Sequence, residues 1–246
     1  MKWNEETLIK VIEESLHIFN EATSVYTPLG IPGLIGSIGP ASGTFDSLVG
    51  MARLDETTTD GVIRQVIDRF AAEGKGLLWA VGPSSTPPDL GARLEAAGFN
   101  MSVEAAGVAL TDLHLSLALN PAIRIEEVGW EDMRKEADLL ATAMEHGFTG
   151  DDYICQFAAL EALEHRYYIR AYLAFCEDSE APMGFSTMFH TINPEVVWIF
   201  DVATVEAHRG RGICRSHVAR MVSDARAAGA QAVITQAVRD TSRRSF

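Results

Sequence analysis

The chain has 246 residues, enough for one large or two small domains, and 47% of them are hydrophobic, ample for a core. With 34 acidic against 20 basic residues its net charge is −14, which argues against nucleic acid as a partner. No run approaches the roughly 18 apolar residues of a membrane span, the start MKWNEETLIK lacks a signal peptide's apolar core, and Cys155, Cys176 and Cys214 share no metal spacing, so the expectation is a reduced, cytoplasmic protein without a metal.

In chain order, Glu5 to Asn20 reads as an amphipathic helix with Leu8, Val11, Ile12, Leu16 and Phe19 along one stripe. Residues 27–44 are rich in Gly, Pro and Ser and read as loop, either a plain connection or a flap over a pocket. Phe45 to Leu54 is a candidate strand. Thr57, Thr58, Thr59 and Asp60 offer caps for a helix marked by Val62, Ile63, Val66, Ile67 and Phe70. A short strand Gly76 to Val81, a rigid turn GPSSTPP, a helix Leu90 to Ala97 and a strand Met101 to Leu110 follow. Thr111 to Pro121 reads as a linker.

The second half restarts at Ala122. Ile123 to Val128 alternates as a strand, Trp130 to Met144 and Asp151 to His165 are helical, and Arg166 to Glu177 is a strand carrying Tyr167, Tyr168, Tyr172 and Phe175. A turn, Asp178 to Pro182, leads into a strand Met183 to Thr191. Val196 to Val202 is an apolar, β-branched and aromatic run of strand length. After Arg209-Gly210-Arg211-Gly212-Ile213-Cys214, the residues Ile213, His217, Val218, Met221, Val222 and Ala225 mark one face of a helix that Gly229 ends, and Ala232 to Val238 is a strand.

The turn at 209–215 has the chemistry of an anion site. Glycine lets backbone N–H groups approach a ligand closely, the first N–H groups of the next helix lack internal partners, and Arg209, Arg211 and Arg215 add cationic donors. Charge is distributed to match: residues 201–246 hold eight of the basic residues and four of the acids, a local net charge of +4 against −18 for the rest. The acidic remainder either steers a cationic amine toward the protein or only aids solubility.

The order strand, Ala203-Thr204-Val205, Arg209-x-x-Gly212-x-Cys214, amphipathic helix resembles the coenzyme-A-binding segment of the GNAT superfamily of N-acyltransferases. That motif is written Q/R-x-x-G-x-G/A, and Cys214 departs from it with the next smallest side chain. The resemblance covers about residues 122–238. It implies a mixed α/β (α+β) GNAT fold with acetyl-CoA as co-substrate. Ala203, Thr204 and Val205 would then hold pantetheine through the strand backbone, and Arg209, Gly210, Arg211, Gly212, Ile213, Cys214 and Arg215 would hold the phosphates. Leu94 to Phe99, L-x-x-x-G-F before a strand, is similar to the way many GNAT domains end. Residues 1–113 are therefore expected to be a degenerate GNAT-like copy in a tandem arrangement, with 122–246 as the acetyltransferase domain.

Against that pattern the helix and two strands after Val238 are missing, as is the Tyr that protonates the leaving thiolate; Ser245 or Phe246 falls nearest. Either the chain is truncated, or the first half fills the gap, or the domain binds without catalysing. An uncovered sheet edge would make stability marginal and a homodimer plausible. Transfer to an amine needs a base. Asp201, on the face of Ala203, is the first candidate because burial would raise its pKa, and the alternative is a structural Asp paired to an Arg. Glu195 is the second candidate. His146, His165, His190, His208 and His217 have no metal spacing, and His217 falls on an apolar helix face. The expected activity is N-acetylation of a small-molecule or peptide amine by direct transfer, with no nucleic-acid or membrane partner. The alternative is an inactive acyl-CoA-binding module.

Overall fold

A computed structural model describes residues 3–41, 47–114, 119–144, 149–176, 179, 181–191 and 193–238. Helix α1 (Glu5–Ser15) starts at Asn4, whose side chain accepts from the Thr7 N–H at 2.8 Å, and a 3-10 turn, Ile18–Glu21, follows it. Strands β1 (Thr27–Pro28), β2 (Ile35–Ile38), β3 (Leu48–Gly50) and β4 (Leu78–Trp79) form a small sheet in that order. The pairs β1–β2 and β2–β3 are antiparallel, and β3–β4 is parallel, joined by α2 (Thr59–Ala72). Ile63, Val66 and Phe70 of α2 and Leu90 and Leu94 of α3 (Leu90–Ala96) close a core over Val49 and Trp79. The stretch expected to be loop thus holds two strands. Gly36 is required inside β2, since a Cβ there would lie 2.8 Å from Leu29. The expected strand at Phe45 is observed from Leu48; Phe45 itself lies outside the described residues.

The second sheet has six strands in the order β5 (Ala105–Leu110), β10 (Ala232–Val238), β9 (Val196–Thr204), β8 (Gly184–His190), β7 (Ile169–Cys176), β6 (Ile123–Val128). Neighbours are antiparallel except β9 and β10, which run parallel and are joined by α7 (Ile213–Ala227). On one face lie α4 (Trp130–Lys135), α5 (Ala137–Met144), α6 (Gly150–Leu163) and residues of α1, packed through Met133, Leu140, Phe157, Leu160 and Val11. On the other face α7 buries Met221, Val222 and Ala225 against Val197, Ile199 and Tyr172. The single helix expected over 130–144 is two, separated at Glu136.

The edge of β10 is not bare. All six residues of β5, which precede the expected linker, pair with Val233–Val238. Helix α1 lies over the same strands: the Gln236 side chain donates to the Ile12 carbonyl at 2.8 Å, and Ile12 packs over Gly107. The first half therefore fills the position for which the sequence suggested a gap, and the expectation of an uncovered edge is corrected.

Candidate active site

Strand β9 forms because residues 196–203 are nearly all apolar and flanked by partners on both sides. Its pairing with β10 covers only Val196–Trp198 against Ala232–Ile234. Beyond Trp198 the two strands part. Against β8, Thr187 faces Asp201 and Met188 faces Ile199, so Phe200 is the extra residue of a bulge. A bulge bends its strand, and this one falls where β9 leaves β10. The result is a wedge whose β9 side carries Phe200, Asp201, Ala203 and Thr204.

Past the wedge, the Val205 N–H bonds the Met183 carbonyl at 2.9 Å and the chain makes a 3-10 turn, Glu206–His208. Gly210 (φ +77°) and Gly212 (φ +88°) take left-handed backbone that L side chains resist. Gly212 is the N-cap of α7 and gives it no side-chain cap. The first turn of α7 therefore receives no side-chain cap from its own N-cap residue. Uncapped N–H groups at the positive end of a helix dipole suit an anion. Arg211 and Arg215 are exposed beside them. The turn is braced from the linker by Asn120, whose side-chain amide donates to the Arg211 carbonyl at 3.0 Å. Arg209 bridges two backbone carbonyls, Thr204 at 3.3 Å and Ala143 at 3.4 Å, and so ties β9 to α5. The Ile213 side chain is buried with Ala174 and Met183, leaving only its backbone at the turn. Cys214 is half-buried.

Asp201 is 7% exposed, on the α6 face of the sheet. The Gln156 amide donates to its Oδ2 at 2.8 Å. Burial pushes the carboxyl up to about 7, and the Gln156 hydrogen bond opposes only part of that rise. No Arg is found paired with it among the described residues. Tyr153, one helical turn before Gln156, is held protonated by burial and by the nearby Asp201 and Asp152 carboxylates. Asp152 closes a capping box with Thr149 at the start of α6. Gln156 and Tyr153 were absent from the sequence reading. The available signal was a Gln within the buried row Tyr153, Phe157, Leu160.

Glu195 sits at the other end of β9, roughly 25 Å from Ala203 at ~3.3 Å per residue. Its carboxylate accepts from the Gln231 side chain and its carbonyl from the Gln231 and Ala232 N–H groups. It belongs to the β9–β10 start and is not brought to the wedge. His217 is buried under the sheet with Nδ1 2.7 Å from the Ser186 hydroxyl, and burial lowers its pKa to about 3, so it is a neutral packing residue. His190 bonds the Pro194 carbonyl through Nδ1 at 2.8 Å. Tyr167 donates to Glu21 and Tyr172 to Asp224, both structural links. His146, Ser245 and Phe246 lie outside the described residues, as does the start of the helix expected after Val238. Among the described residues no His, Cys, Asp or Glu group is arranged to hold a metal, and no helix is long and apolar enough to cross a membrane.

Comparison with known proteins bears on this geometry. Residues 130–245 match the acetyltransferase (GNAT) family. No curated protein matches the chain. Among solved structures, a GCN5-related N-acetyltransferase from Kribbella flavida superposes with a TM-score of 0.66 at 15% identity, over 93% of this chain and 85% of that one. One from Sphaerobacter thermophilus gives 0.59 at 14% identity, over 89% and 77%. A tandem GNAT protein of the clavulanic acid biosynthesis pathway, solved without acetyl-CoA, gives 0.57 at 12% identity, over 97% and 88%. At these identities the likeness is one of fold, and it extends through the first half of the chain. Residues 130–245 are a GNAT-family acetyltransferase domain, in a chain that has the GNAT fold.

Proposed function

We propose that this protein transfers the acetyl group of acetyl-CoA directly to an amine, with the β9–β10 wedge and the α7 N-terminus as the donor site. The observation that carries the reading is the conjunction of an opened parallel strand pair with an uncapped, glycine-led helix start directly after it. In this reading the pantetheine arm lies along Ala203–Val205 on the side of β9 that β10 has left. The pyrophosphate meets the N–H groups of residues 213–215, with Arg211 and Arg215 beside it, while Arg209 orients the turn. The chain reads as a tandem, residues 1–113 the degenerate copy and 122–246 the acetyltransferase domain, with β5 passing from the first into the sheet of the second.

The amine attacks the thioester carbonyl. A new N–C bond forms, the C–S bond breaks, and coenzyme A leaves as the thiolate. Asp201 accepts the proton the amine loses. It is covered by Gln156, so it acts through a bridging water. A carboxyl raised to about 7 is matched to that task near neutral pH. The depth of Asp201 also favours a second reading, an acyl-CoA-binding module without turnover.

Calorimetric titration with acetyl-CoA tests the donor site. The parent should bind one equivalent, and Gly212→Asp should weaken binding by about 100-fold, since it adds a like charge and a side chain at a positive φ. A folded parent that fails to bind rejects the reading. Thiol release with amine acceptors then separates the two alternatives: binding without turnover across a broad acceptor panel would select the inactive module.

A further inference from the structure

We infer that the N-terminal half supplies the acceptor wall of the wedge, with Phe19 against Phe200 selecting an amine carried on a flat, apolar body. The inference rests on the wedge being the donor site. Helix α1 and its 3-10 turn pack on the α5–α6 face of the sheet. At one end the Ile12 carbonyl holds Gln236, on the part of β10 that has left β9. At the other end Phe19 meets Phe200, the bulge residue beside Asp201, with ring centroids 5.0 Å apart and planes at 53°.

Behind that pair the aromatic surface continues inward. Phe200 lies 4.8 Å from Trp198 and 6.2 Å from Phe189, and Tyr26 backs Phe19 at 6.1 Å. Trp198, Phe189 and Tyr26 are buried, whereas Phe19 and Phe200 are only partly buried. The cluster therefore has a closed base and an accessible rim one residue from the candidate base. An aromatic or flat apolar group stacks on such a rim.

Charge on the wall points the same way. A polyamine would need a fixed carboxylate for its second ammonium. Among the described residues of α1 and its turn, Glu21 is held by the Tyr167 hydroxyl and Arg166, both at 2.7 Å. Glu13 is held by Ser84, Glu14 faces Lys10 at 3.8 Å, and Glu5 and Glu6 lie in the first turn of α1, at the end of the helix far from Phe19. Asp201 is held by Gln156.

Binding of phenethylamine and of spermidine, measured by calorimetry with coenzyme A saturating, tests this. Phenethylamine should bind about tenfold tighter than spermidine, and Phe19→Ala should weaken it about tenfold while acetyl-CoA affinity stays within about twofold. Phe19→Leu keeps a branched apolar side chain without the ring, and its phenethylamine affinity should fall between those of the parent and Phe19→Ala. Equal or tighter binding of spermidine, or unchanged phenethylamine binding in a folded Phe19 variant, overturns the inference. Failure of the parent to bind acetyl-CoA would instead reject the donor site, a separate readout in the same titrations.

Discussion

Each half of the molecule contains two parallel strands joined by a helix, β3–α2–β4 in the first and β9–α7–β10 in the second. In the first the strands stay together. The Ala80 N–H bonds Val49, the Thr86 N–H bonds Ala52 and the Leu54 N–H bonds Thr86, so the pair is fastened again beyond its end. Residues 81–85 loop away, and α1 fills the space: Glu13 accepts from the Ser84 N–H at 3.1 Å and from its hydroxyl, and the His17 ring stands over Gly50. Helix α2 begins beside Asp55, whose carboxylate accepts from the Thr57 N–H at 2.8 Å. In the second half the strands part after three residues, and α7 begins at a glycine with no capping side chain. The same connection can thus be self-satisfied or left open. The difference lies in whether the strands are fastened again beyond their paired stretch and the loop after them is bound by the chain itself, since neither Thr58 nor Gly212 gives its helix a side-chain cap.

The largest expected effect falls at the open crossover. If Asp201 is the base, Asp201→Asn should lower kcat by about 100-fold or more and remove a rate limb that rises through pH ~7. It should also change the pH dependence of stability. The folded carboxyl has its pKa raised to about 7 from an ordinary value of 3.8, so its contribution is fully present below pH 3.8 and is lost as pH rises through about 7. That loss is of order 4 kcal/mol at about 1.4 kcal/mol per unit. Denaturant unfolding at pH 4 and 7 should therefore show a smaller fall with pH in the variant. Equal slopes for parent and variant would remove Asp201 from the account.

A change at the closed crossover should do the reverse. A Cβ at Gly50 would meet the His17 ring at 2.7 Å and the Ala80 carbonyl at 3.1 Å. Gly50→Ala should cost about 1–3 kcal/mol, read as a lower Tm, and leave acetyl-CoA affinity unchanged. A loss of acetyl-CoA affinity there would break the division between a structural and a functional crossover. Smaller still, Glu13→Ala should cost about 1 kcal/mol and speed amide exchange at Ser84, again without creating a second acetyl-CoA equivalent in calorimetry. A second equivalent would mean that Glu13 alone keeps the first crossover from binding.

The parts of this arrangement readable in the sequence are those written locally. The apolar run of β9, the Arg/Gly turn and the 3.6-residue repeat of α7 are each contiguous, and β10 falls where expected, at Ala232–Val238. Features set by distant partners were not readable. Asp201 meets Gln156 from 45 residues away, and the bulge at Phe200 exists only in register with β8. Strand β5 was legible as a strand, but its partner β10 was not, because pairing leaves no mark on either segment alone. The short strands β1 and β2 were hidden in a Gly- and Pro-rich stretch, where Gly36 serves close packing rather than a turn.

The lodging of β5 beside β10 sets the order in which the protein can be assembled. The contact between Ile12 and Gln236 spans 224 residues, so α1 cannot take its final place until the last strand of the sheet has left the ribosome. Early segments of the nascent chain must wait with apolar α1 and β5 surfaces unmatched, the situation in which non-local topology slows folding and invites misassembly. Synthesis from separated halves would face the same delay as a bimolecular encounter, its yield set by concentration.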